Sequence, residues 1–193
     1  MQEKRFIYVD VCMRGNLSRT RLLADSYLEK LQQNGVSEIE KIYLADKKLS
    51  ALDSEVMAWR DKCIAAGDFS NEYFDYARRI AGSEVLVIAA PYWDLGFPAQ
   101  LKLFLEQICI NNLVFSYQND GTVKKLNSLE KVVYITTAGG FIGANNWGFE
   151  YIKGLFNMIF SVNEFEFYSA EGLDIAGTDI EKVISNTQKN FKL

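Results

Sequence analysis

The 193-residue chain contains no histidine, two prolines and three cysteines. Without imidazole there is no Ser-His-Asp or Cys-His nucleophile pair, no His-ligated zinc and no side chain that titrates near neutrality in its unperturbed state. The cysteines, Cys12, Cys63 and Cys109, are odd in number, far apart and free of any C-x-x-C spacing, so the chain reads as a reduced, cytoplasmic protein without a disulfide framework. The N-terminal Met1-Gln2-Glu3-Lys4-Arg5 lacks an apolar signal region, and no run of 18 apolar residues is present, so no membrane association is expected. Basic excess is missing too. Lys and Arg number 21 against 25 Asp and Glu, a net charge of −4, which disfavours a phosphate-backbone partner, and no nucleic acid is expected. The densest basic cluster, Arg14, Arg19 and Arg21, surrounds a single loop. A G-x-x-x-x-G-K-[ST] phosphate loop is absent, and nothing in the spacing suggests a metal site.

What is present is a chain of single-domain length, residues 1–193, whose composition is 49% hydrophobic. Phe6–Val11, Val85–Ala90 and Lys131–Thr137 are short continuous apolar runs, as in strands buried on both faces. Glu38–Leu44 and Asn163–Ala170 are weaker strand candidates. Helical periodicity falls between them. Leu22, Leu23, Tyr27, Leu28 and Leu31 share one face before Asn34-Gly35; Leu101, Phe104, Leu105 and Ile108 share another behind Pro98; and Tyr151, Ile152, Leu155, Phe156 and Ile159 a third. A last helix is expected from Thr178, with Glu181 completing a capping box. Residues 46–82 exceed one helix and are expected to break at Gly67-Asp68. The segment Leu113–Val123, with Asn119-Asp120-Gly121, reads as a hairpin excursion over the ligand rim. The alternation implies an α/β, doubly wound, five-stranded parallel sheet with helices on both faces.

In such a sheet, ligands lie beyond the carboxyl ends of the strands, which directs attention to three loops. After the first strand, Ser18, Arg19 and Thr20 open a helix whose backbone amides suit an anion; taken alone, Ser18 reads better as a plain helix cap. After the third, both prolines of the chain, Pro91 and Pro98, bracket Tyr92, Trp93, Asp94, Leu95 and Gly96 and stiffen a loop suited to a flat, half-exposed ring. After the fourth, Thr136 and Thr137 lead to Gly139 and Gly140, where backbone can approach a ligand plane closely or simply turn.

These loops, in this order, resemble those of the flavodoxin-like NAD(P)H:quinone oxidoreductases and FMN-dependent NADH azoreductases. Ala90-Pro91-Tyr92-Trp93-Asp94-Leu95-Gly96-Phe97-Pro98-Ala99-Gln100-Leu101-Lys102 is similar to the flavin loop of that family; Phe115-x-Tyr117 before Gly121, Thr136-Thr137-Ala138-Gly139-Gly140 and Glu171-Gly172 resemble its other landmarks. The resemblance covers nearly the whole chain and implies a flavodoxin-like fold, an FMN cofactor, NADH or NADPH as electron donor, and a small flat acceptor such as a quinone or azo compound, reduced by ping-pong hydride transfer. It implies that Ser18, Arg19 and Thr20 hold the FMN phosphate, that Pro91, Tyr92, Trp93, Asp94 and Leu95 line the isoalloxazine, and that Thr136, Thr137, Gly139 and Gly140 meet its pyrimidine side. It also implies a homodimer with flavin sites at the interface and an aromatic wall drawn from Trp59, Phe115, Tyr117, Trp147 and Tyr151; where histidine is lacking, solvent or a tyrosine such as Tyr117 or Tyr151 is the expected proton source. Cys12, Met13, Asp94 and Ala138 depart from the residues common in that pattern. The alternative is a flavin-binding electron carrier or sensor without turnover, against which the expected hairpin ceiling argues.

Overall fold

A computed structural model describes residues 4–192. Five strands, β1 (Phe6–Asp10), β2 (Ile39–Tyr43), β3 (Val85–Ala89), β6 (Lys131–Thr137) and β7 (Glu164–Ala170), form one sheet in the order β2-β1-β3-β6-β7, every neighbouring pair parallel. Side chains alternate across the strands, which divides the core in two. On one face Ile7, Val9, Leu86, Ile88 and Val132 pack under α3 (Asp75–Ala81), α4 (Ala99–Ile108) and α5 (Trp147–Phe160). On the other, Tyr8, Val87, Val133 and Ile135 pack under α1 (Arg19–Gln33) and α6 (Ile180–Lys189). The expected doubly wound sheet with helices on both faces is observed.

Local chemistry explains the boundaries. Helix α2 (Ser54–Ala66) starts at Asp53, whose side chain accepts from the Val56 amide, and stops at Gly67 in the left-handed region, φ 66°. The expected break at Gly67 is therefore a glycine C-cap. The last helix is capped by Asp179, which accepts from the Lys182 amide, rather than by Thr178. The carboxylate one residue on is the better cap, because it adds charge at the positive helix end.

The hairpin is the main topological surprise. It exists, as β4 (Phe115–Tyr117) against β5 (Val123–Lys125), but its root lies at the end of the sheet away from the ligand rim. Asn127 donates to Val114 O and Phe160 O, and Ser128 N–H to Ala81 O; Ala81 and Phe160 precede the starts of β3 and β7. Among the described residues no hydrogen bond or ring contact joins the hairpin to the rim loops. The expected ceiling over the rim is corrected accordingly. Helix α4 runs from rim to base and delivers the chain to the wrong end for covering its own site. No helix among the described residues is long and apolar enough to cross a membrane.

Candidate functional site

The rim loops converge on a cleft of about 150 Å³ lined by Met13, Arg14, Leu17, Ser18, Arg19, Thr20, Pro91, Tyr92, Trp93, Thr137, Gly139 and Asp174. It therefore gathers eight expected residues from three separate loops: Ser18, Arg19, Thr20, Pro91, Tyr92, Trp93, Thr137 and Gly139.

The first loop is held from below. Asp10, fully buried at the end of β1, accepts from the Cys12 amide at 2.7 Å, from Tyr8 OH at 3.0 Å and from Arg21 Nε at 2.6 Å. A buried carboxylate needs such pairing, and here it ties the loop, the strand and α1 to one point. The Arg21 pKa is raised, chiefly by its hydrogen bond to Asp10. Burial, then Asp10, pushes the Cys12 thiol up to about 12, so it stays protonated and is no nucleophile. Ser18 caps α1, accepting from the Arg21 amide at 3.4 Å. Among the described residues no acceptor takes up the amides of Arg19 and Thr20, the two donors a helix start leaves for an anion. The Thr20 hydroxyl lies 2.6 Å from that of Thr137 and links α1 to β6.

The second loop is a tight reversal. Trp93 and Gly96 exchange backbone hydrogen bonds of 3.3 and 2.8 Å across Asp94 and Leu95, both at positive φ, 50° and 65°. A left-handed leucine is strained, and its neighbours hold it there. Tyr92 is anchored twice, by its amide on Thr137 O at 3.0 Å and its hydroxyl on Asn145 O at 2.9 Å. The start of α5 presses on the turn: a Cβ on Gly148 would meet Gly96 backbone at 3.2 Å. Trp93 and Leu95 remain exposed beside the cleft.

The third loop is zipped to the chain beyond β7. Gly172, Leu173 and Asp174 donate to the carbonyls of Gly140, Ala138 and Gly139, and Glu171 accepts from the Ile142 amide. Gly139 is small for a reason the sequence hid. A Cβ there would lie 2.2 Å from Asp174 Oδ2, so the glycine makes room for a carboxylate. That carboxylate pairs with Arg19 Nη2 at 2.6 Å, while Arg19 Nη1 donates to Leu173 O at 2.9 Å.

Other expected residues lie apart. Asp94, Leu95 and Gly140 border the cleft without lining it. Thr136 is buried on the opposite face of β6 from Thr137, its hydroxyl without a hydrogen-bond partner among the described residues. Tyr151 stands in the first turns of α5 against Phe97, with ring centroids 5.7 Å apart, on the flank of the second loop. Tyr117 is exposed on the hairpin, away from the rim. Of the suggested aromatic wall, Phe115 is buried and Trp59 stacks on Phe74, so both belong to the core, whereas Trp147 is exposed. Sequence reasoning missed Asp10, Arg21 and Asp174 as parts of the site. Asp10 had a visible signal, as the one charge in the apolar run Phe6–Val11. Among the described residues no cluster of three or more His, Cys, Asp or Glu is placed to hold a metal ion.

Comparison with known proteins agrees with this architecture. A family model described as a flavodoxin-like fold matches residues 4–192. The chain is 29% identical over 181 residues to FMN-dependent NADH:quinone oxidoreductase 2 of Clostridium acetobutylicum, covering 91% of this chain and 90% of that protein. An azoreductase of Bacillus anthracis superposes with a TM-score of 0.82 at 15% identity, over 96% of this chain and 95% of that one. An FMN-dependent NADH-azoreductase of the same organism, in complex with FMN, gives 0.79 at 18% identity over 96% and 94%. With its strand order, its two-sided helices and a family match spanning all but the ends of the sequence, the chain belongs to the flavodoxin-like fold family.

Proposed function

We propose that this protein is an FMN-dependent NAD(P)H oxidoreductase that reduces quinones, azo compounds or similar flat acceptors. The observation that carries the reading is the cleft itself, where two unsatisfied helix-start amides, a rigid aromatic reversal and a glycine-bearing strand end meet. The curated relative named as an FMN-dependent NADH:quinone oxidoreductase supports FMN as cofactor and NADH as donor. NADPH as an alternative donor rests on the family resemblance alone.

The residues fit the cofactor. The amides of Arg19 and Thr20 and the Ser18 hydroxyl would hold the phosphate, and Pro91, Tyr92 and Trp93 one side of the ring system, with Thr137 and Gly139 opposite. FMN, when bound, would supply the hydride chemistry for a ping-pong exchange between nicotinamide donor and acceptor. The protein contributes position and electrostatics. Asp10 fixes the phosphate loop through the Cys12 amide and Arg21, and the doubly anchored Tyr92 keeps the aromatic loop from collapsing. No histidine is available, so the acceptor's proton comes from solvent or from Tyr151, the half-exposed hydroxyl beside the second loop. Tyr117, remote from its own rim, serves a cleft only if a second copy presents it, and we place it there in a homodimer. The three free cysteines suit a reducing cytoplasm.

A second reading, a flavin-bearing electron carrier without turnover, gains from the hairpin's position, because the described residues build no ceiling over the cleft. One experiment separates the two. The purified protein is loaded with FMN, and its visible absorption is followed on adding NADH, NADPH and then menadione. Rapid bleaching and recovery of the yellow colour is the expected outcome. Flavin that stays oxidised under both donors removes the reductase reading and leaves the carrier.

A further inference from the structure

Three arginines surround the loop that opens α1, and their ion pairs divide them sharply. Arg21 is committed to the buried Asp10, Nε to Oδ2 at 2.6 Å, and lies over the Tyr43 ring at 5.3 Å. Arg19 is drawn away toward the end of β7, bound by Asp174 Oδ1 at 2.6 Å and Leu173 O at 2.9 Å. Arg14 also lines the cleft and is exposed; its carbonyl accepts from the Leu17 amide at 3.2 Å, but its side chain has no ion pair, hydrogen bond or ring contact among the described residues. The cleft lining thus holds two arginines and one carboxylate; Arg19 and Asp174 neutralise each other, and Arg14 supplies the remaining positive charge.

We infer that Arg14 is the charge-specific ligand of the phosphate group of the bound nucleotide, and that Asp174 sets its affinity by holding the Arg19 guanidinium in an ion pair at the cleft wall. This rests on the reading that the cleft holds FMN. A phosphate monoester carries about −1.5 to −2 charges near neutrality, and amides and hydroxyls meet that charge only with dipoles. A free guanidinium at the mouth supplies what they lack. Committing Arg19 to a carboxylate keeps a second guanidinium off the same phosphate, which leaves the cofactor exchangeable rather than locked. Gly139 belongs to the device, since any larger residue would collide with the Asp174 carboxylate that restrains Arg19.

The test compares FMN with riboflavin, which has the same ring system and no phosphate, by quenching of flavin fluorescence at several salt concentrations. Arg14→Gln is expected to weaken FMN binding by about tenfold and flatten its salt dependence, with riboflavin unaffected. Arg14→Lys keeps the charge and is expected to retain part of the difference. Asp174→Asn releases Arg19, so it is expected to tighten FMN several-fold and to restore affinity in the Arg14→Gln background, again without changing riboflavin. Unchanged FMN affinity in Arg14→Gln, or equal loss for FMN and riboflavin, overturns the assignment of Arg14. A double variant as weak as Arg14→Gln overturns the role given to Asp174. Wild-type protein that binds neither ligand overturns the flavin reading itself, and this inference with it.

Discussion

Leu95 shows how much of this site is decided residue by residue. Its φ of 65° places an exposed leucine in backbone territory that costs an L-residue with an ordinary side chain about 1–2 kcal/mol, because Cβ crowds the following carbonyl. Asparagine tolerates that conformation, and little apolar surface is lost at an exposed position. Leu95→Asn is therefore expected to raise stability by about 1 kcal/mol, read as a higher denaturation midpoint, while Leu95→Ala, which keeps the strain, gives no gain. Equal midpoints for the two variants would mean the turn is relaxed. At this scale the sequence was legible where identity alone carries meaning: two prolines flagged the loop, and Ser18 caps α1 as its place before the helix indicates. It was illegible where meaning depends on partners. Gly139 read as room for a ligand, yet its immediate neighbour is Asp174, 35 positions on, and nothing local announces such a contact.

At the scale of elements, the bond between α1 and β6 is the most informative contact. Thr20 and Thr137 are buried and share one hydrogen bond of 2.6 Å. Replacing either by valine keeps the shape but leaves the other hydroxyl buried without a partner, at a cost of about 1–3 kcal/mol. Replacing both removes the stranded group along with the bond, so the double variant is expected to lose less than the sum of the singles. Urea denaturation of the four proteins measures this directly; strict additivity would show that the hydroxyls do not depend on each other. Strands and helices were readable from periodicity because that signal is short-ranged, and β6 runs from Lys131 to Thr137 as the apolar run indicates. The cap at Asp179 rather than Thr178 is a one-residue displacement, decided by which oxygen reaches the Lys182 amide. The hairpin was recognised as a hairpin but put at the wrong end of the sheet. Turn chemistry specifies that two strands reverse, not where the preceding helix delivers them.

At the scale of the whole molecule, the exposed apolar surface asks for a partner. Along α5, Trp147, Tyr151 and Met158 stand four and seven residues apart on one face, with exposures of 59%, 41% and 70%. Phe141, 77% exposed, lies at the rim over Gly172. Scattered apolar residues are ordinary on a monomer, but a helical stripe beginning at the ligand rim is the surface we propose as an interface. We propose a second copy of this chain as the occupant; it would also give a use to the exposed Tyr117, which on its own subunit packs edge-on against Phe115 away from the rim. A stable pair needs about 800 Å² buried on each side, with apolar anchors near the centre. Met158→Glu places a charge that must be desolvated on this stripe, far along α5 from the cleft, and is expected to convert a dimer to a monomer. Sedimentation velocity at micromolar concentration gives the mass of wild type and variant, and FMN titration gives the cofactor's affinity in each. If the cleft is completed by the partner, affinity falls together with the mass. A monomeric wild type, or a Met158→Glu protein that stays dimeric, would remove α5 from the interface and leave Tyr117 without a site to serve.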